Sequence, residues 1–296
     1  MKKLINSTLL VFSTLTIASY SEHPESKKII DELVDIHGFK KDYVLDALSN
    51  AKKQQSIINS ISSPAEFTWT WEKYKKLFIE EKRIQNGKNF ILENIDTLER
   101  AEKKYGVPKE TITAILGVET RYGKVMGNYR VIDSLTTLSF EYPRRSKFFK
   151  KELIEFFLLT RENNIDINTP KGSYAGAMGY GQFISSSYRA YAVDFDNDGK
   201  VDLFNSVDDA IGSIANYLYL HGWKREGSIV KKVDINNVRK VFKPEPGLSK
   251  FISLTFEEEE KDHYFIGDDN FIAITKYNIS HFYAMAVYYL SEELKI

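Results

Sequence analysis

The sequence contains no cysteine, which excludes disulfide bonds, thiolate metal sites and a cysteine nucleophile. Basic residues number 41 and acidic residues number 41, so the formal net charge is zero. The chain has no basic stripe of the kind that binds nucleic acid, and we expect no nucleic-acid partner. The five histidines are scattered, and neither His-Glu-x-x-His nor Gly-x-Ser-x-Gly occurs. The signatures of the common zinc and serine hydrolases are therefore missing.

A continuous apolar stretch stands at the start of the chain. Lys2 and Lys3 precede the run from Leu4 to Ala18, which is short and rich in serine and threonine. This pattern predicts a signal peptide over residues 1–21, cleaved after Ala18 or Ser21, and disfavours a permanent membrane span. Because no cysteine follows the run, we expect no lipid anchor. The expected location is the periplasm.

Helical periodicity dominates the first half of the chain. With 296 residues, of which 43% are hydrophobic, the chain is long enough for two or three subdomains. Amphipathic spacing predicts short helices over residues 25–62, broken at Gly38 and Asn50, and another helix that ends at Tyr105-Gly106. Later helices are predicted over residues 148–161 and from an N-cap at Ser280 to Leu290.

Short strand-like segments occupy the region after residue 227. They are predicted at residues 229–233, 251–256 and 264–266, with breaks at Pro244, Pro246 and Gly247. The acidic run over residues 257–260 is predicted to be a solvated turn. A small β subdomain follows from this pattern.

Glu119 carries the strongest candidate chemistry. Pro108 and Gly123 bracket a predicted helix as its first turn and its cap. Glu119 comes four residues after Ile115 and seven after Ile112, so it belongs to the apolar face. A carboxyl group there is expected to have a raised pKa, which suits a general acid. The alternative is a buried structural pair with Arg121 or with a neighbouring helix.

Two further segments offer ligand contacts. Arg144 and Arg145 fit the binding of carboxylate or carbonyl groups, or else salt bridges at a helix start. The segment over residues 171–183 has four glycines in ten residues, without a phosphate-loop or dinucleotide spacing. Ser173 and Gln182 would there offer neutral donors and acceptors to a glycan. Tight packing without a ligand is the alternative.

The segment beginning Asp194-Phe-Asp196-Asn-Asp198-Gly199-Lys200 has the spacing of the first half of an EF-hand calcium loop. Position twelve is Asn205 instead of glutamate, so Asp208 or Asp209 would have to close the site. We expect a structural calcium ion, held by some or all of Asp194, Asp196, Asp198, Lys200, Asp208 and Asp209. An acidic turn without an ion is the alternative.

Ordinary glycoside hydrolysis needs a second carboxylate about 5–10 Å from the first. Asp133 and Glu141 are available, but the spacing places neither on the Glu119 face. A single acid favours a cleavage in which the substrate supplies its own nucleophile.

Several motifs together resemble the B-type lytic murein transglycosylases, which cleave bacterial peptidoglycan with a lysozyme-like core. The motifs are Gly117-Val-Glu-Thr-Arg-Tyr-Gly123, Glu141-Tyr-Pro-Arg-Arg145, the glycine-rich segment at 172–183, Asp209-Ala-Ile-Gly, His221-Gly-Trp223 and the segment from Tyr277 to Val287. They lie in order between about residues 62 and 290. The resemblance implies cleavage of the MurNAc–GlcNAc β-1,4 bond and formation of 1,6-anhydromuramyl ends.

The resemblance also assigns roles to individual residues. Glu119 is the implied acid/base, and the implied glycan contacts are Tyr74, Arg144, Arg145, Ser173, Gln182, Tyr217, Tyr277 and Tyr283. The Asp194 loop matches a calcium loop of some members, and Asp209 matches its closing residue better than Asp208. Tyr122 stands where the family often has tryptophan.

We therefore expect a mainly α, α+β protein with a lysozyme-like core. The expected parts are a signal peptide (1–21), a helical subdomain (22–104, joined by 280–296), a catalytic core (105–226, with the loop at 194–209) and a β subdomain (227–279). Peptidoglycan strands are the expected partner, with cell-wall complexes as a further option, and the chain is expected to be a monomer. The alternatives are a lysozyme-type hydrolase and a non-catalytic peptidoglycan-binding module.

Overall fold

The computed structural model describes residues 19–62, 69–234, 251–256 and 261–295. The chain forms two compact units, residues 1–52 and residues 53–296. The predicted signal peptide lies almost wholly outside the described residues, as do Pro244, Pro246, Gly247 and the acidic run at 257–260. No helix among the described residues is long and apolar enough to cross a membrane.

The first unit is helical, as its periodicity predicts. Helix α1 (Ser26–Asp31) continues into a π-helical turn (Glu32–Ile36), and α2 is Lys41–Asn50. Gly38 adopts a left-handed conformation between them, with φ of 68°, so the chain reverses where the sequence predicted a break. Leu33, Val44 and Leu48 are completely buried and form the core of this unit.

The second unit contains most of the helices. Their bounds are α3 Gln55–Ser62, α4 Trp71–Phe78, α5 Glu81–Glu93, α6 Ile95–Tyr105, α7 Lys109–Thr120, α8 Val131–Glu141, α9 Ser146–Glu162, α10 Ser185–Tyr191, α11 Val207–Leu220, α12 Asp269–Tyr277 and α13 His281–Glu293. The predicted helix over residues 148–161 is confirmed within α9. The Ser280 cap is also confirmed, because its hydroxyl accepts a hydrogen bond from the Tyr283 amide at 3.3 Å.

Two small antiparallel sheets accompany the helices. Strands β1 (Tyr129–Arg130) and β2 (Lys171–Gly172) pair Tyr129 with Gly172. Strands β3 (Val230–Val233), β4 (Phe251–Phe256) and β5 (Lys261–Gly267) form the second sheet in the order β3-β5-β4. The three predicted strands are confirmed, and β5 begins three residues earlier than predicted.

Helix α7 occupies the centre of the second unit. It packs against α5, α6, α11 and α13. Ile112, Ala114, Ile115 and Leu116 have no exposed surface, because apolar or small residues fill nearly every position of this helix. Helix α13 also packs against α4, so a C-terminal segment supports both the first helices of this unit and the central one. The subdomain boundaries expected within this unit stay predictions.

Candidate active site around Glu119

The end of α7 places Glu119 at the last turn of the central helix. The helix begins after Pro108, which is its N-cap residue, and ends at Thr120. The prediction that Gly123 caps the helix was wrong, because Arg121 and Tyr122 already adopt left-handed conformations with φ of 53° and 61°. Such conformations cost non-glycine residues about 1–3 kcal/mol each. The chain thus leaves the helix one residue after Glu119, whose side chain is half-buried.

A tyrosine from the C-terminal helix contacts the Glu119 carboxyl group. The Tyr283 hydroxyl donates a hydrogen bond of 2.6 Å to Glu119 Oε1. Tyr283 is 2% exposed, and burial raises its pKa well above the usual value, with the Glu119 charge acting in the same direction. The hydroxyl therefore remains protonated and available as a donor throughout the neutral range.

Two more tyrosines hold the surrounding elements together. The Tyr277 hydroxyl donates to the Gly181 carbonyl oxygen at 2.5 Å, and the Tyr217 hydroxyl donates to the Lys276 carbonyl oxygen at 2.6 Å. Their ring centroids are 4.8 Å apart. Burial raises the pKa of Tyr217 to about 12 and also raises that of Tyr277. These contacts join α11, α12 and the glycine-rich segment beside Glu119.

The glycine-rich segment is attached directly to the end of α7. The hydroxyl of Thr120, the residue after Glu119, donates to the Tyr180 carbonyl oxygen at 2.8 Å and accepts from the Gly123 amide at 2.9 Å. Gly123 has φ of 83°, and a Cβ atom there would lie 2.0 Å from the Tyr180 ring. Side chains larger than glycine are therefore excluded at this contact.

Thr120 was not singled out from the sequence. The available signal was its position directly after Glu119. Because adjacent helical side chains point in different directions, a polar residue there can contact a second segment beside the carboxyl group.

Ser173 and Gln182 stand at the two ends of this segment. The Ser173 hydroxyl accepts hydrogen bonds from the Ala175 and Ala177 amides at 3.2 and 3.1 Å. The Gln182 amide group donates to the Met126 and Gly179 carbonyl oxygens at 3.1 and 3.0 Å. Within the described part of the chain, Gln182 Oε1 accepts no hydrogen bond. That oxygen is therefore available to a hydroxyl or amide donor of a ligand.

Arg144 and Arg145 lie in a short 3-10 turn, Pro143–Arg145, and both are exposed. The Arg145 guanidinium lies 4.4 Å from the Phe148 ring centroid, a cation–π contact. No ion pair to either arginine is present among residues 19–62, 69–234, 251–256 and 261–295. The salt-bridge alternative therefore has no support there, and both guanidinium groups can reach a ligand.

Tyr74 is much less accessible than its implied role suggests. It is 2% exposed and packs against Phe78 and Phe282, with ring centroids 4.7 and 5.7 Å away. Phe282 is the residue before Tyr283 on α13, so Tyr74 packs on the helix that carries Tyr283. Tyr74 therefore supports the Tyr283 side chain and presents little surface to a ligand.

The acidic loop brings three carboxylates together between α10 and α11. Oxygens of Asp194, Asp196 and Asp209 lie within 4.8 Å of one another. Asp209 is 1% exposed, and its two oxygens accept hydrogen bonds from the Phe195 and Asp202 amides, each at 2.7 Å. Three carboxylates at this separation suit a calcium ion, which prefers oxygen ligands.

The other predicted ligands lie differently. Asp208 contacts the Thr97 hydroxyl and is 3.2 Å from Arg100 Nη2, so its carboxylate is engaged outside the three-carboxylate group. Asp198 accepts a hydrogen bond from the Lys200 amide at 2.8 Å and is also outside that group. Of the two candidates for the closing position, Asp209 is the one that joins Asp194 and Asp196.

Comparison with known proteins identifies the family. The model of the transglycosylase SLT domain matches residues 21–292. The chain belongs to this family. It is 38% identical to membrane-bound lytic murein transglycosylase B of Escherichia coli, over 94% of this chain and 84% of that protein. The expected enzyme class, a peptidoglycan-cleaving lytic transglycosylase, is confirmed by this family membership.

Solved structures agree with the family assignment. Soluble lytic transglycosylase SltB1 from Pseudomonas aeruginosa is 38% identical, with a TM-score of 0.85, over 92% of this chain and 98% of that one. The Escherichia coli lytic transglycosylase Slt35 in complex with calcium is 38% identical, with a TM-score of 0.81, over 92% and 93% of the two chains. The expected lysozyme-like, mainly α fold is confirmed by these likenesses.

Proposed function

We propose that this transglycosylase cleaves the MurNAc–GlcNAc β-1,4 bond with Glu119 as its single acid/base and leaves a 1,6-anhydromuramyl end. The observation that carries the proposal is the contact between the Tyr283 hydroxyl and Glu119 Oε1 at the end of α7. This carboxyl group lies next to the glycine-rich segment, where the neutral polar side chains of Ser173 and Gln182 are partly exposed and suited to a glycan.

The reaction needs two proton transfers, and one carboxyl group can perform both. Glu119 first protonates the glycosidic oxygen while the bond from that oxygen to C1 of MurNAc breaks. The resulting carboxylate then takes the proton from the C6 hydroxyl of the same sugar, whose oxygen forms the new bond to C1. Glu119 ends in its starting protonation state, and no water is consumed.

The carboxylates considered as second catalytic groups are engaged elsewhere. Asp133 Oδ1 lies 2.6 Å from Arg130 Nη2, and Glu141 Oε2 lies 2.6 Å from Lys53 Nζ. A nucleophilic or water-activating carboxylate should be directed at the sugar, about 5–10 Å from the acid. The ion pairs of Asp133 and Glu141 support the mechanism in which the substrate supplies its own nucleophile.

The glycan contacts follow from the same geometry. The free Gln182 Oε1 suits an N-acetyl amide or hydroxyl donor, and the exposed Arg144 and Arg145 suit carbonyl or carboxylate groups of the substrate. Ser173 would contribute through its hydroxyl. Tyr217, Tyr277 and Tyr283 would form the wall behind the reacting sugar, and Tyr74 would act through Tyr283.

A calcium ion in the acidic loop would have a structural role. Asp194, Asp196 and Asp209 would hold it with charged oxygens, and the two positive charges of the ion would offset most of the repulsion among the three carboxylates. The loop is connected to the glycine-rich segment, since the Tyr180 amide donates to the Leu203 carbonyl oxygen at 3.0 Å. The ion would thus stabilise the support of the glycan contacts without taking part in the reaction.

The signal-peptide pattern at residues 1–21 supports export to the periplasm, where peptidoglycan strands are present. We expect a monomer that acts on these strands alone or within a cell-wall complex.

Digestion of purified peptidoglycan in oxygen-18 water tests the proposed reaction. Mass spectrometry of the products should find anhydro ends without heavy oxygen, because the C6 hydroxyl and not water attacks C1. Reducing ends that carry one heavy oxygen would instead identify a lysozyme-type hydrolase. Binding to the polymer without any new ends would identify a non-catalytic module.

A further inference from the structure

A concave surface adjoins the glycine-rich segment, on the side of the acidic loop. It is a cleft of about 920 Å³ between residues 126–127, 162–171 and 194–205. Glu119 is not among its lining residues, so the cleft is separate from the carboxyl group that performs the chemistry. Apart from Asp194 and Lys200, which belong to the acidic loop, no residue of this lining has been given a role above.

The cleft shares its walls with the supports of the glycan contacts. Met126 lines it, and the Met126 carbonyl oxygen accepts the hydrogen bond from the Gln182 side chain. Lys171 lines it two residues before Ser173, and the pairing of Lys171 with Arg130 fixes its place on β2. A substrate bound at Gln182 and Ser173 would therefore have the cleft beside it.

Two ammonium groups in the cleft are free to bind a ligand. Lys171 and Lys200 are both exposed, and neither side chain forms a hydrogen bond or ion pair within the part of the chain that the structure describes. Unpaired lysines that face one cavity attract carboxylate groups. The exposed Asn164 also lines the cleft, and its amide can pair with a peptide bond.

The acidic side chains of the cleft are already engaged. Both Glu162 oxygens are bonded to Arg189 at 2.7 Å, and Asp202 Oδ1 accepts from the Phe204 and Asn205 amides at 2.9 and 3.0 Å. Asp194 accepts from the Asp198 and Gly199 amides at 3.1 and 2.9 Å. The Glu162 charge is paired with Arg189, and a calcium ion at Asp194 would offset the charge of the acidic loop, whereas neither lysine has an ion-pair partner among the described residues.

Apolar side chains complete the lining. Met126, Ile165, Pro170, Val201 and Phe204 contribute carbon surface between the two charged positions. A sugar chain carries hydroxyl groups throughout and would make few apolar contacts with this surface. A short peptide with small apolar side chains and several carboxylates matches both parts of the lining.

We infer that this cleft binds the acidic stem peptide of peptidoglycan, with Lys171 and Lys200 paired to its carboxylates. The inference deepens the proposed function and rests on it, because a glycan strand held at Ser173 and Gln182 would present its lactyl-linked peptide to the cleft. The cleft would then select peptide-bearing strands over bare ones.

The test compares two substrates and two variants. The wild type, the double variant Lys171→Gln/Lys200→Gln and the control Lys28→Gln, an exposed lysine of α1, are each assayed on intact peptidoglycan and on strands whose peptides an amidase has removed. We expect the double variant to lose about tenfold in kcat/KM on peptide-bearing strands, equivalent to one or two weakened ion pairs. Its activity on bare strands should stay within about twofold, and Lys28→Gln should match the wild type on both.

Equal loss on both substrates, or no loss on either, would overturn the inference. A second measurement does not depend on catalysis: the free stem peptide is titrated into the labelled wild-type protein and followed by NMR. Shifts at Lys171, Lys200 and their neighbours that vanish in the double variant support the cleft. The lack of such shifts contradicts it, even if cleavage is observed. Peptide binding without any cleavage would keep the cleft and defeat the proposed reaction.

Discussion

Glu152 and Glu119 both lie on central helices of the second unit, and they differ in the group that donates a hydrogen bond to the carboxylate. Glu152 on α9 is 3% exposed, and both its oxygens bond to Ser186, one to the hydroxyl at 2.8 Å and one to the amide at 2.9 Å. Glu119 on α7 is half-buried and accepts from the Tyr283 hydroxyl. Burial raises the pKa of Glu152, and the Ser186 bonds oppose this shift.

The difference shows that burial alone does not identify a catalytic carboxyl group. Glu152 is held by a residue at the start of α10, so its two oxygens are committed to joining two helices. Glu119 stands at a helix end where the backbone turns away, and it faces a phenol supplied by a segment 164 residues later. Glu119 is distinguished from Glu152 by its partial exposure and by its hydrogen-bond donor, the Tyr283 hydroxyl of the distant helix α13.

Among the residues that support Glu119, the largest expected change comes from Tyr283→Phe. Loss of a hydrogen bond to a charged group costs about 1.5–3 kcal/mol, which corresponds to about a 10–100-fold lower kcat. Because the phenol stabilises the charged carboxylate, its loss should also move the alkaline limb of the pH–rate profile to higher pH. Steady-state assays on peptidoglycan across pH measure both effects.

Tyr122→Phe provides the matched control for that prediction. Tyr122 is also a buried phenol, and its hydroxyl donates to the Arg83 carbonyl oxygen at 2.9 Å instead of to Glu119. The Tyr122→Phe variant should lose about as much stability as Tyr283→Phe but keep the wild-type pH–rate profile. If both variants behave alike, the Tyr283 contact has only a structural role.

The next prediction concerns the effect of calcium on Tm, which should depend on Asp209 and not on Asp208. A ligand at a hundredfold excess over its Kd stabilises the folded state by about 2.7 kcal/mol, so we expect calcium to raise Tm by about 5–10 °C relative to chelator. Asp209→Asn should abolish most of this increase, whereas Asp208→Asn should keep it because Asp208 is bonded to Arg100. Calorimetry with calcium and with EDTA measures the increase. An unchanged melting curve in EDTA, or the reverse order of the two variants, contradicts the assignment.

The smallest expected effect concerns the pH dependence of Glu152. Because its folded-state pKa is raised, its contribution to stability is fully present below the unfolded pKa of about 4.5 and is lost as the pH rises through the folded value. Glu152→Gln does not titrate, so its stability relative to the wild type should improve from pH 4 to pH 7. Urea unfolding at several pH values checks the sign. A difference that is constant, or that falls with rising pH, shows that the Ser186 bonds dominate.

The sequence predicts the helices and the candidate catalytic residue Glu119 well, because both depend on apolar periodicity within short segments of the chain. The periodicity around Ile112 and Ile115 places α7, and the apolar positions of residues 148–161 place α9. The left-handed Arg121 and Tyr122 were not predicted, because the arrangement depends on packing of Tyr122 beneath Arg83 and not on local propensity. Local propensity alone therefore predicts Gly123 as the cap.

The partners within the site could not be predicted from spacing. Tyr283 reaches Glu119 only because α13 packs on α7, and the packing of α11 on α6 decides which of Asp208 and Asp209 faces Asp194. Family resemblance implied Tyr283 as a glycan contact, whereas the structure shows a hydrogen-bond donor to the carboxyl group. The burial of Tyr74 likewise depends on aromatic residues of α13.

The central claim is that Glu119 alone transfers protons during bond cleavage. Its most direct test is the rate at which anhydro ends are released from peptidoglycan by Glu119→Gln and by Glu152→Gln, each confirmed as folded by its Tm and by retained binding to the polymer. We predict that Glu119→Gln loses about 10³-fold or more and that Glu152→Gln stays within about twofold of the wild type. A Glu119→Gln variant that keeps a tenth or more of the activity, or a Glu152→Gln variant that loses as much as Glu119→Gln while still folded, would contradict the account.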